Sequence, residues 1–250
     1  MTADAGDAFE FYPCLVDGVP ASIYVNLRFE HEAPAGADTR YELAIRMREA
    51  GPHGIGTAEE AEVLDAFEAR VIERIAQVGL VYVGRLRHRG TWEAAFYGPP
   101  RKLAVVLDAA SEVPDGRRVD ALGEHDPTWT YYRELLLPDA ERRRWMDDRR
   151  LVQVLKDQGD LLSVRRRVDH ELGFPSAEAR QAFVDSATRL GFTVERVWDA
   201  GDAATRFAVL VARADAIELD HIHDVVMSLV DAAEAHGGHY AGWRTSIEKP

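Results

Sequence analysis

The sequence predicts an α+β protein of two domains in tandem, each with the strand and helix order β-α-β-β-α-β of ferredoxin-like folds. Residues 21–29 and 40–48 alternate apolar and polar side chains, which is typical of half-buried antiparallel strands. Residues 57–79 then carry apolar side chains at helical spacing. The same order of patterns returns between 166 and 247. We therefore expect two mainly antiparallel sheets, joined by a bridging helix near 139–156.

The N-terminal half shows a clear set of boundaries. Thr57 is a good N-cap, Glu60 completes a capping box, and Gly79 ends the helix. The remaining predicted elements are strands near 80–88 and 91–97, a helix after Pro99-Pro100, and a strand near 117–122. One extra strand, 21–29, precedes this unit.

The C-terminal half repeats the pattern after an aromatic junction. Residues 126–138 are too aromatic for a free linker, so we place the domains at 1–137 and 138–250. The bridging helix is expected to turn Trp145, Val152 and Leu155 inward. The later predicted elements are a strand at 166–172, a helix capped by Ser176, strands at 192–198 and 207–212, a helix carrying Leu219 to Ala233, and a final strand at 240–247.

The charge of the chain limits its partners. With a net charge of −13 and 46% hydrophobic residues, the 250-residue chain has enough apolar side chains for real cores. Both halves are acidic, which disfavours direct binding to nucleic acid and favours a basic protein partner. A lone cysteine, no signal peptide and no long apolar run predict a cytoplasmic protein that does not enter a membrane.

No catalytic or metal-binding motif stands out. Cys14 lacks a catalytic signature, and the serines show no nucleophile motif. The loop Gly51–Gly56 lacks the Lys-Ser/Thr of a phosphate loop. His221 and His223 point apart on one helix, so we expect exposed or capping histidines. We therefore predict no catalytic residue, no metal and no cofactor, and we expect the arginine runs at 142–150 and 165–167 to form local ion pairs.

Four residues form the best-specified structural motif. His170 faces the predicted core, so a backbone carbonyl or a carboxylate is expected to satisfy it, with a ligand or partner contact as the alternative. Gly242 lies between Tyr240 and Trp243, which indicates a bulge or a close backbone approach. We expect Tyr240 and Trp243 to hold the last strand against the last helix.

The C-terminal half resembles the regulator of ribonuclease E activity B family. The motifs are Val168-Asp-His170-Glu-Leu172, Leu190-Gly191-Phe192-Thr-Val194, Leu229-Val-Asp-Ala-Ala-Glu-Ala-His236 and Tyr240-Ala-Gly242-Trp243-Arg-Thr245. The closing motif of the family is Tyr-Asp-Gly-Trp-x-Thr, so Ala241 replaces an aspartate. The family has an acidic C-terminal tail, whereas this sequence reads Glu248-Lys249-Pro250. The N-terminal half resembles an uncharacterised bacterial domain sometimes joined to this one.

The resemblance implies a non-enzymatic regulator that binds a protein partner, with ribonuclease E as the candidate. The acidic residues of the last helix are the candidate contacts, namely Asp220, Asp224, Asp231 and Glu234, although simple solubility would also explain them. An alternative is a small-molecule-binding or hydrolytic enzyme with its site between the domains. A third possibility is a structural or assembly module. The sequence leaves the oligomeric state open.

Overall fold

A computed structural model describes residues 6–199 and 205–249. The chain divides into two compact units, Met1–Arg142 and Arg143–Pro250. The ten strands found in the described ranges are β1 (Phe9–Val16), β2 (Val19–Asn26), β3 (Thr39–Arg46), β4 (Val81–His88), β5 (Thr91–Gly98), β6 (Val119–His125), β7 (Arg166–Phe174), β8 (Thr193–Asp199), β9 (Phe207–Asp215) and β10 (His239–Thr245). The α-helices are α1 (Ala58–Ala76), α2 (Leu103–Ala109), α3 (Ala140–Asp157), α4 (Ala177–Arg189) and α5 (Leu219–Glu234).

The N-terminal sheet has six strands in the order β1-β2-β4-β5-β3-β6, and all its pairs are antiparallel. The strands β3 to β6, with α1 and α2 between them, form the predicted β-α-β-β-α-β unit. The expectation of one extra strand is wrong, because the hairpin β1–β2 adds two. Pro13 interrupts the strand pattern of β1, and proline is tolerated there because β1 lies at the sheet edge.

The helix α1 packs its apolar stripe on one face of this sheet. Leu64, Phe67, Val71 and Ile75 are buried in a cluster that includes Trp92. The hydroxyl of Thr57 accepts the Glu60 N–H at 3.2 Å, as an N-cap does. The second bond predicted for the capping box, in which the Glu60 side chain accepts the Thr57 N–H, is wrong: the Glu60 carboxylate accepts the Arg48 N–H and bonds Arg117 instead.

The opposite face of the N-terminal sheet is covered by the aromatic segment 126–138. The indole of Trp129 donates to the carbonyl of Ala37 at 2.7 Å, and the hydroxyl of Tyr132 donates to the carbonyl of Asn26 at 2.6 Å. At the outer strand, the hydroxyl of Tyr12 donates to the carbonyl of Leu136 at 2.7 Å. Because these partners lie far apart in the chain, the segment is an integral layer of the N-terminal unit.

The C-terminal sheet has four antiparallel strands in the order β10-β7-β9-β8. This is the strand order of a ferredoxin-like fold, so the predicted α+β class is confirmed for both units. The helices α4 and α5 bury Phe183, Ala187, Ile222 and Leu229 against one face. In α3, Val152 and Leu155 are buried as expected, but Met146 is the buried residue where Trp145 was expected, and Trp145 is only half-buried.

A buried ion pair holds the first residue of β7 in place. Arg166 donates to both carboxylate oxygens of Asp160, at 2.9 and 2.7 Å, and both side chains are almost fully buried. The backbone N–H of Glu248 donates to the same carboxylate at 2.9 Å. No helix in the described ranges is both long and apolar enough to cross a membrane.

Candidate interaction surface of the C-terminal domain

The helix α5 presents an acidic stripe to solvent. Its apolar positions are buried against the sheet, which leaves Asp220, Asp224, Asp231 and Glu234 exposed. At 100° per residue these four positions fall within about 80° of the helix circumference and extend over about 21 Å. The structure therefore brings together the four acids that the sequence singled out.

These four carboxylates have no side-chain counterion in the part of the chain that the structure describes. The sequence of α5 contains no lysine or arginine. The arginine run 165–167 differs: Arg166 pairs with Asp160 and Arg167 pairs with Asp169 and Glu195, while Arg165 donates to the carbonyl of Ala214. Local pairing is therefore found for Arg166, in a buried pair, and for the exposed Arg167, while the four acids of α5 have no such partner among the described residues.

The two histidines of α5 serve different carboxylates. His223 is mostly buried, and its Nδ1 lies 2.9 Å from an oxygen of Asp148 in α3. The Nε2 of His221 lies 3.1 Å from an oxygen of Asp215 in β9. His221 is exposed as expected, whereas His223 is mostly buried against α3, so the expectation is wrong for His223 alone; the two rings point to different neighbours.

Asp148 joins three elements. One of its carboxylate oxygens accepts the indole N–H of Trp243 at 2.8 Å, and the other bonds His223. This carboxylate is almost fully buried. Asp148 therefore connects α3, α5 and β10, and through His223 it holds α5 next to the acidic stripe.

Asp148 is not among the site residues predicted from the sequence, although its position in α3 marks it. Asp148 precedes Val152 by four residues and Leu155 by seven, so it lies on the buried stripe of α3. An acidic residue on an apolar stripe indicates a buried polar partner, because an unpaired buried charge is costly.

His170 and Tyr240 form a buried pair. The Nδ1 of His170 lies 2.7 Å from the Tyr240 hydroxyl, and the edge of the imidazole meets Phe192. The expected partner, a backbone carbonyl or carboxylate, is wrong: the partner is a phenol. The Nε2 of His170 has no hydrogen-bond partner among the described residues.

Burial dominates the electrostatics of this pair. It lowers the pKa of His170 to about 4, so the ring is neutral at pH 7. Burial likewise raises the pKa of Tyr240, and the nearby Asp148 carboxylate adds to that effect. For Asp215, burial opposes ionisation, but hydrogen bonds from Arg213 and His221 outweigh it and leave the pKa below the usual value.

Gly242 makes the bulge that the sequence indicated. The register between β10 and β7 shifts between Tyr240 and Gly242, so Ala241 has no partner in the ladder. The φ of Gly242 is +151°, a region that favours glycine. No atom crowds this position, so the bulge, and not a close backbone approach, explains the glycine. As a result Tyr240 and Trp243 both face the core.

The cysteine and serines considered as nucleophiles either have a structural role or lie where burial opposes their reactivity. Cys14 is half-buried in β1, and burial raises the pKa of its thiol, which opposes formation of the reactive thiolate. Ser176 caps α4, and Ser186 donates to a backbone carbonyl. Among the described residues no group of three or more histidine, cysteine or acidic side chains could hold a metal.

The fold and this surface define a two-domain protein whose C-terminal unit presents a negatively charged helix to solvent. Residues 145–245 match the family Regulator of ribonuclease activity B. Residues 7–137 match the Family of unknown function (DUF695), and because this model covers more than half of the chain, the protein belongs to that family. Both assignments agree with the resemblances drawn from the sequence.

No curated protein matches the chain significantly. Among the solved structures that match, one is the crystal structure of an unknown protein from Galdieria sulphuraria. It is 10% identical, covers 81% of this chain and 95% of its own, and has a TM-score of 0.23, a similarity too low to support an argument about function.

Proposed function

We propose that this protein is a non-enzymatic, cytoplasmic regulator of ribonuclease activity. The match of residues 145–245 to a family of ribonuclease regulators supports this class of function. In this proposal the C-terminal domain binds a protein partner, with ribonuclease E as the candidate, and does not contact RNA directly. The net charge of −13 supports a protein partner over nucleic acid, because phosphates would be repelled.

The observation that carries the proposal is the uncompensated stripe of α5. Asp220, Asp224, Asp231 and Glu234 are exposed, share one side of a helix, and lack counterions among the described residues. A surface that only needed solubility would tolerate mixed signs, as the arginine-rich α3 shows with its Arg150–Asp147 pair. A basic segment of a partner would supply the missing positive charges.

The test is a binding and activity assay with ribonuclease E from the same bacterium. The wild-type protein is compared with Asp224→Lys/Asp231→Lys at low and physiological salt. Each reversal replaces an attraction with a repulsion, so we expect affinity to fall on the order of tenfold and association to slow. Binding by the wild type should also weaken as salt rises, because exposed charges are screened.

A matched control separates the stripe from net charge. Asp157→Lys/Asp185→Lys makes the same charge change on α3 and α4, at two exposed acids of the same domain. This variant should bind as the wild type does. Equal loss in both double variants would remove α5 from the interface, and no wild-type binding at low salt would refute ribonuclease E as the partner.

A further inference from the structure

The four outer edges of the two sheets are not equally protected. An edge strand exposes unpaired backbone N–H and C=O groups, and natural proteins blunt such edges with prolines, bulges or charges. β1 carries Pro13, while β8 and β10 each contain a bulge. In the described part of the chain, β6 is the edge without a proline or a bulge, although it carries the charged residues Asp120 and Glu124: it pairs with β3 over seven consecutive residues with no register shift.

The β6 edge also exposes apolar side chains. Leu122, in β6, is 42% exposed, and Leu107, on the helix α2 that packs against β6, is 44% exposed. Leu122 pairs with Glu42 and therefore lies on the sheet face opposite α2, so each face of this edge exposes one large apolar side chain. Burial of either on association would remove apolar surface from water.

We propose that β6 pairs antiparallel with β6 of a second copy of this chain, joining two N-terminal sheets into one. In a symmetric pair, opposing residues share a face of the sheet, so the symmetry axis passes through a residue position. With the axis at Ala121, and each strand extended by the one residue that precedes β6, Arg118 of each copy stands opposite Glu124 of the other. This register gives two cross-strand pairs of opposite charge on one face.

The neighbouring registers are disfavoured by charge. An axis at Asp120 places the two Asp120 side chains opposite each other, and an axis at Leu122 places Asp120 opposite Glu124. Like charges that oppose each other directly destabilise a strand pair. Within each copy, Arg118 bonds Asp120 and Glu124 bonds Arg40, so both charges of the proposed cross-strand pair already lie along this edge.

The first experiment is a disulfide trap in the full-length chain. In a Cys14→Ser background, Ala121→Cys places two thiols across the symmetry axis, and opposing residues of an antiparallel pair lie close enough to be bridged. With oxidised glutathione we expect a covalent dimer on a non-reducing gel. Leu15→Cys, exposed on the proline-protected β1, is the collisional control, and equal cross-linking of both variants would overturn the proposal.

The second experiment uses charge reversal and needs no oxidation. Arg118→Glu and Glu124→Arg each place like charges in both cross-strand pairs, so each variant should raise the dimer dissociation constant at least tenfold. Mixed together, the two variants restore both opposite-charge pairs, so a heterodimer should form with near wild-type affinity, measured by light scattering after size exclusion. Circular dichroism checks that both variants fold. A monomeric wild type at 100 μM, or no heterodimer from the mixture, would overturn the proposal.

Discussion

Trp243 and His223 share one acceptor, the buried carboxylate of Asp148, which takes the indole N–H on one oxygen and the imidazole on the other. The two donors come from β10 and α5, while the acceptor comes from α3. A single acid therefore fixes three elements that are distant in sequence, and the stability of the C-terminal domain depends on it.

Replacement of Trp243 tests this arrangement. Trp243→Ala removes a side chain that is 9% exposed and leaves a buried oxygen of Asp148 without its donor, so unfolding free energy should fall by about 3–5 kcal/mol. Trp243→Phe keeps most of the volume and should cost less. Urea unfolding followed by circular dichroism measures both, and an unchanged midpoint for the alanine variant would show that Trp243 is not a packing residue.

The neutral His170 predicts an acid-sensitive C-terminal domain. Its pKa of about 4 in the fold lies below the ordinary value of about 6.5. As the pH falls, His170 is therefore protonated in the unfolded chain before it is protonated in the folded protein. Stability from this group is complete above pH 6.5 and is lost as the pH falls to 4. The loss amounts to about 3 kcal/mol, from 1.36 kcal/mol for each pKa unit.

The variant His170→Gln isolates that contribution, since glutamine can still bond Tyr240 but does not titrate. Its melting temperature should fall less than that of the wild type between pH 7 and pH 4.5. His221→Gln is the matched control, because His221 is half-exposed. The lowered pKa of Asp215 acts in a different window, since stability from that carboxylate is lost only as the pH falls below about 3.8. If His170→Gln and the wild type lose stability in parallel, the pKa assignment is wrong.

Breaking the Asp160–Arg166 pair should be more costly than removing it. Arg166→Leu leaves a buried aspartate without its guanidinium, which typically costs about 3–5 kcal/mol. The double variant Asp160→Asn/Arg166→Leu removes the stranded charge and should recover part of that loss. Differential scanning calorimetry compares the three proteins, and a double variant less stable than the single one would contradict the argument.

Two glycines with similar φ values allow the cost of steric crowding to be separated from the cost of backbone strain. Gly84 and Gly242 have φ values of +153° and +151°. A Cβ at Gly242 meets no atom within 4 Å, so Gly242→Ala should cost only the backbone strain, on the order of 1–3 kcal/mol. A Cβ at Gly84 would also meet the Tyr24 carbonyl oxygen. Gly84→Ala should therefore be clearly more destabilising, and equal losses in thermal unfolding would refute this.

The repeated element order was predictable because it rests on local periodicity. The helix α5 and the strand β9 follow from side-chain spacing alone, and Ser176 and Thr57 mark helix starts by their own hydrogen bonds. The missed features depend on contacts between distant residues. Strand β1 was not predicted, because Pro13 lies within it and the sequence does not show which strand lies at a sheet edge. The reciprocal capping bond of Glu60 is not formed, because Arg117, 57 residues later, binds its carboxylate.

The candidate surface was likewise predictable from the sequence only in part. The acidic stripe of α5 is a local pattern, so Asp224 and Asp231 could be named from spacing. The partners of His170 and Trp243 could not, since Tyr240 lies 70 residues after His170 and Asp148 lies 95 residues before Trp243. The local sequence indicates that such a residue has a role, but only the folded structure shows which residue it contacts.

The bond between Tyr12 and Leu136 has a consequence for biosynthesis. The ribosome makes the chain from the N-terminus, and the segment 126–138 that covers one face of the first sheet is its last part to emerge. Until then, that face of β2 and β5 is open to solvent and to chaperones. The first domain can therefore complete its fold while the second is being translated, but a nascent chain that stalls before Trp129 would expose an aggregation-prone sheet.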